Sequence, residues 1–191
     1  MENVNEKIAE LFCGQCNATY TAWTIHIEIF DKNSDREETI EKSLSFFNRI
    51  YAITASHLIS QISKFHDPAK TKVAGKISYN LSIDYIIDHG DWSEEDKKEL
   101  KLLKEHLDNI FENGKRARNK LLSHNDLDTF MNGEDIGCFD PGMDLYYFGY
   151  LGQIAGKVSD KWIGKSFEWD NSAKFDTEHF LNILKKSPKL F

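Results

Sequence analysis

The sequence predicts an all-α protein, a bundle of about five helices with no substantial sheet. Three observations carry that expectation. Apolar residues recur at helical intervals over long stretches. Only three prolines occur in 191 residues, which suits uninterrupted helices. No run alternates with period two convincingly enough to be a strand. With 40% apolar and 13% aromatic residues, a single packed domain is expected.

The first element spans 3–31, where Ile8, Leu11, Phe12, Ala18, Ala22, Ile25 and Ile29 form one apolar stripe, with Gly14 as its weak point. Ser34-Asp35-Arg36-Glu37 reads as a capping box that starts a second helix. That helix runs to about Phe65 on Phe47, Ile50, Tyr51, Thr54, Leu58 and Ile62. His66-Asp67-Pro68 ends it, because the residue before proline is pushed out of the helical region. Residues 68–79 are basic and polar and read as a loop around Gly75. A short helix over 81–87 ends near Gly90, and Ser93-Glu94-Glu95-Asp96 starts another on Leu100, Leu103, Leu107 and Ile110. Asn113-Gly114 offers a break. Asp140-Pro141 resembles an N-cap with proline at the first helical position, opening a helix to about Ile163. Gly149, Gly152 and Ala155 would let another helix approach closely. A last short helix is expected near 176–186.

The formal charge of −7 argues against non-specific coating of nucleic acid, although it leaves room for a small basic cleft. Cys13, Cys16 and Cys138 are odd in number, and no signal peptide is apparent, so a reducing cytoplasmic setting is expected. No apolar run approaches the ~18 residues that span a bilayer, so no membrane partner is expected. Cys13-x-x-Cys16 lacks a second ligand pair for zinc and a preceding strand for redox work, and reads as buried thiols. None of the seven histidines sits at metal-ligand spacing, and no cofactor is expected. His66-Asp67 reads as a helix cap.

The segment Arg118-Asn119-Lys120-Leu121-Leu122-Ser123-His124 stands apart. Lys115, Arg116, Arg118 and Lys120 precede any acid before Asp126. A permanent guanidinium near an imidazole that titrates around neutrality suits work on a phosphodiester. The same residues also read as a basic helix turn whose histidine sits near a C-terminal end, where the dipole favours a cation. Arg118 and His124 lie about 240° apart around an ideal helix, so they would meet most naturally in a groove between helices or subunits.

Arg118-Asn119 followed after four residues by His124 resembles the Arg-polar-x4-His motif of HEPN-domain ribonucleases, α-helical proteins of toxin–antitoxin and phage-defence systems. The stretch 62–68 followed by Asn80-Leu81-Ser82-Ile83 is similar to their abortive-infection, AbiU-like branch. The resemblance implies a HEPN-like core over 1–126 and a C-terminal helical extension over 127–191. It implies metal-independent cleavage of RNA by 2′-hydroxyl attack to a 2′,3′-cyclic phosphate. Arg118, Asn119 and His124 would be catalytic; Lys115, Arg116 and Lys120 would hold flanking phosphates. A homodimer is implied, and an antitoxin is a further partner of such proteins. The alternative is a non-catalytic module that binds nucleotide or RNA, or serves dimerisation.

Overall fold

The computed structural model describes residues 4–118 and 139–187. Among them are eight helices and one two-stranded sheet, so the chain is predominantly all-α. In order these are α1 (Val4–Phe30), α2 (Arg36–Glu41), α3 (Leu44–Phe65), β1 (Lys70–Val73), β2 (Lys76–Tyr79), α4 (Ile83–His89), α5 (Glu94–Ile110), α6 (Glu112–Ala117), α7 (Met143–Trp162) and α8 (Ser172–Lys186). Among the described residues, no helix is long and apolar enough to cross a membrane. Two compact units are distinguished, Met1–Cys16 with Ile59–Glu168, and Asn17–Leu58 with Trp169–Phe191.

In the first unit α5 packs along α7. Leu100, Leu103 and Leu107 fall on one face of α5 and are buried, as are Tyr147, Leu151, Ile154, Ala155 and Val158 of α7. Burying each leucine stabilises the fold by roughly 1.5–3 kcal/mol. Ser93 caps α5 by accepting from the Asp96 amide, and Ser82 caps α4 by accepting from Tyr85. In the second unit Ile29, Phe30 and Phe47 form a core flanked by Ile25, Ile40, Ile50 and Leu184. Lys42, itself buried, donates from Nζ to the carbonyls of Leu184, Lys185 and Ser187 at 2.6, 3.0 and 2.8 Å. That satisfies orphan acceptors at the end of α8 and places a cation at the negative end of its dipole.

Expectations for individual elements need correction. The helix count exceeds five, partly because the helix expected from 34 to 65 is two. A turn at Lys42-Ser43 separates α2 from α3, with the Ser43 amide donating to Ile40 and the Phe46 amide to Ser43. No capping box starts α2: Asp35 makes no side-chain cap, and its amide donates to Asn33 Oδ1 instead. The buried stripe of α1 runs through Phe12, Cys16, Thr19, Trp23, Ile27 and Phe30, whereas Leu11 and Ala18 are exposed.

Residues 70–79 form a hairpin rather than a loop. Its turn is Ala74-Gly75, with φ of 49° and 82°, the left-handed pair that a two-residue hairpin turn requires. All of β2 is exposed. Each strand is only four residues long, so the brief alternation of Lys76-Ile77-Ser78-Tyr79 was too short to register as a strand. Finally, Asp140-Pro141-Gly142 is a turn before α7. The Met143 amide donates to Asp140 at 3.0 Å, and Gly142 takes φ 79°, which favours glycine. Of the small residues on α7, Gly149 faces open space while Ala155 is fully buried.

Candidate active site

The end of α3, the end of α5 and the short α6 converge within the first unit. Phe111 is fully buried and takes φ −91° and ψ 12°, which breaks the helix between α5 and α6. Its ring lies against the backbone of Gly114, where a Cβ would collide with it. Glycine at 114 therefore lets the first turn of α6 lie directly against that ring, with Ala117 buried further along. This geometry delivers Arg118 to the end of α3.

There Asp67 receives it. Arg118 Nη1 donates to Asp67 Oδ1 at 3.0 Å. The arginine side chain is 42% exposed and the aspartate 27%. Asp67 sits just past the helix, where its backbone N–H donates to the Lys64 carbonyl at 3.4 Å and Pro68 forbids another turn. Asp67 occupies one arm of the guanidinium fork. The fork has five donors, a geometry suited to paired bonds with phosphate oxygens.

The neighbouring His66 faces inward, with a side chain only 3% exposed. Its Nδ1 lies 2.7 Å from Asp108 Oδ1 and its Nε2 lies 2.9 Å from the Tyr147 hydroxyl. A carboxylate only accepts, so Nδ1 carries the proton and Nε2 accepts from the tyrosine. The ring stacks on Phe111 at 4.7 Å. Burial pushes the imidazole below its usual range against the pull of Asp108, so it is neutral at pH 7. Burial alone would raise the Asp108 carboxyl, but bonds from His66 and Lys104 hold it well below the usual carboxylate range. Lys104 reaches Asp108 Oδ2 at 2.6 Å and Asp84 at 3.5 Å. Lys115 lies 3.4 Å from Asp108 and 3.6 Å from Glu112.

The structure thus brings Arg118 and Lys115 to one region, where Lys115 pairs with Asp108 and Glu112 while its side chain stays 38% exposed. Arg116 is exposed on α6. Asn119, Lys120 and His124 lie outside the described residues, as do Leu121 and Leu122. Four site residues were missed as such in the sequence: Asp67, His66, Asp108 and Tyr147. The dipeptide His66-Asp67 was visible only as a helix end. Its partners lie 42, 51 and 81 residues away, and spacing along one chain does not reveal such pairs.

Cys13 and Cys16 are buried free thiols. Burial raises Cys13 to about 11 and Cys16 well above its usual range, which suits neither thiolate chemistry nor metal ligation. Among the described residues no three His, Cys, Asp or Glu side chains gather as a metal site would require.

Comparison with known proteins places this geometry in context. The family profile described as AbiU2, of HEPN type, matches residues 5–183. No curated protein and no solved structure matches the chain.

Proposed function

Since the chain belongs to the AbiU2 family of HEPN domains, we propose that it is a metal-independent endoribonuclease serving as a toxin or phage-defence effector. The 2′-hydroxyl attacks the adjacent phosphorus while a base takes its proton. The bond to the 5′-oxygen breaks, an acid protonates that oxygen, and a 2′,3′-cyclic phosphate and a 5′-hydroxyl remain. His124 supplies acid or base, since an imidazole ordinarily titrates near 6.5. Arg118 stabilises the charge that develops on the phosphorane. Asn119 orients the histidine or a phosphate oxygen, and Lys115, Arg116 and Lys120 hold flanking phosphates.

The observation that carries this reading is the anchoring of Arg118. The first residue of the motif sits at a folded junction, fixed by one carboxylate, with its side chain still open to solvent. A guanidinium held in that way is pre-organised for an incoming phosphate. Each chain has one motif histidine, whereas in-line cleavage needs both an acid and a base. A homodimer placing two motifs in one cleft meets that need, and a partner antitoxin would hold it silent.

His124→Ala tests the proposal. Cleavage of single-stranded RNA is expected to vanish while the helical circular-dichroism spectrum stays unchanged. Full activity in that variant ends the proposal.

A further inference from the structure

The hairpin that begins three residues after Asp67 is a cationic stretch of an acidic chain. Residues 68–79 hold Lys70, Lys72 and Lys76 and no acid, against −7 for the whole protein. All three lysines are exposed, and none has an ion-pair partner among the described residues.

The register decides what stands beside them. Lys70 pairs with Tyr79 and Lys72 with Ile77, so these four side chains share one face of the ribbon. Tyr79 is 59% exposed and Ile77 60% exposed. Tyr79 continues into an aromatic group on α4. It meets Tyr85 edge-on at 5.9 Å and His89 edge-on at 5.5 Å, and Tyr85 and His89 stack at 4.4 Å. Ile77 and these rings together make a contiguous apolar patch rimmed by lysines, the kind of surface that marks an interaction site.

The base of the hairpin is firmly tied. The Asn80 amide donates to Ala69 at 3.0 Å, and its side chain donates to Pro68 at 2.7 Å. Asp67, which holds Arg118, precedes Lys70 by three residues, at most about 11 Å of chain. Lys70 therefore lies within that reach of the residue that holds the motif arginine.

We propose that the Lys70–Lys72–Ile77–Tyr79 face, with Lys76 at the tip, docks a single-stranded RNA segment flanking the scissile linkage held at Arg118. This rests on the ribonuclease reading. Lysines pair with the phosphates, and an unpaired base stacks on Tyr79. A duplex hides its base faces and would gain only the charge term.

The test uses the full chain carrying His124→Ala, so that RNA survives during titration. Anisotropy is followed with a labelled mixed-sequence single-stranded RNA and with its duplex at several salt concentrations. Tyr79→Ala is expected to weaken single-strand binding about tenfold, and Tyr79→Phe to restore it. Replacing Lys70, Lys72 and Lys76 with glutamine is expected to flatten the salt dependence by about 2 in log–log slope. In the wild-type background the same variants are expected to raise KM for cleavage.

Unchanged single-strand binding in these variants, while the wild type cleaves RNA, overturns the docking face and leaves the nuclease intact. A change of oligomeric state without a change in RNA affinity overturns it in favour of a protein partner. Loss of binding in the variants of a protein that never cleaves supports the docking face and removes the nuclease.

Discussion

Replacing Asp67 with alanine removes the carboxylate that receives Arg118 at 3.0 Å. With side chains 42% and 27% exposed, the pair is screened by water and contributes about 0–1 kcal/mol to stability. For a chain of this size, 1 kcal/mol shifts Tm by roughly 2–4 °C, so the variant remains folded. The catalytic effect is expected to be larger. A guanidinium on a flexible stem loses its fixed position, and a displacement of about 1 Å costs up to roughly 100-fold in rate. Asp67 also competes with phosphate for the same fork. Its removal is therefore expected to leave KM unchanged or lower while kcat falls about 10- to 100-fold. Asp67→Asn keeps an amide oxygen as acceptor and is expected to recover part of the loss. Turnover of a labelled single-stranded RNA beside a thermal melt measures both quantities. Wild-type kcat in Asp67→Ala at unchanged Tm would refute the positioning role.

Two further outcomes bear on the scaffold beneath that pair. Gly114→Ala is expected to destabilise the protein, although alanine favours a helix by about 1 kcal/mol over glycine. The new Cβ meets the buried Phe111 ring, and overpacking of that kind costs about 1–3 kcal/mol, so a denaturant midpoint above wild type would contradict the packing. Stability is also expected to fall as pH drops below 6.5. Burial holds His66 below that value in the fold, whereas the unfolded chain takes up the proton there. The full stability is therefore present above 6.5, and His66 removes at most about 1.4 kcal/mol per pH unit below it. Burial lowers His26 as well, so it adds to the same slope. Urea midpoints that stay flat from about pH 7.5 to 5.5 would contradict the neutral, buried assignment.

Helices were legible wherever one face is buried and the other wet. Leu100, Leu103 and Leu107 announced α5, and Ser93 announced its start. The break between α2 and α3 was not legible: Lys42 keeps helical dihedrals there, and its buried amine serves carbonyls 142 residues and more away, a partnership that local sequence does not reveal. The hairpin was missed because each of its strands is only four residues long. At the site, the motif drew attention to Arg118, since arginine, amide and histidine at that spacing carry chemistry. Asp67 looked like a stop signal beside proline. Its second task, holding the arginine, depends on the kink at Phe111 between α5 and α6, where the ring lies against Gly114 and leaves no room for a side chain there. His66, Asp108 and Tyr147 form their chain of hydrogen bonds from three separate helix ends and faces, a proximity created only by packing.

The central claim is most directly tested by the ends that the purified protein leaves on RNA in the presence of a chelator. Fragments bearing 2′,3′-cyclic phosphate and 5′-hydroxyl termini, absent with His124→Ala, are the predicted result. Fragments bearing 3′-hydroxyl and 5′-phosphate termini, or intact RNA throughout, would contradict it.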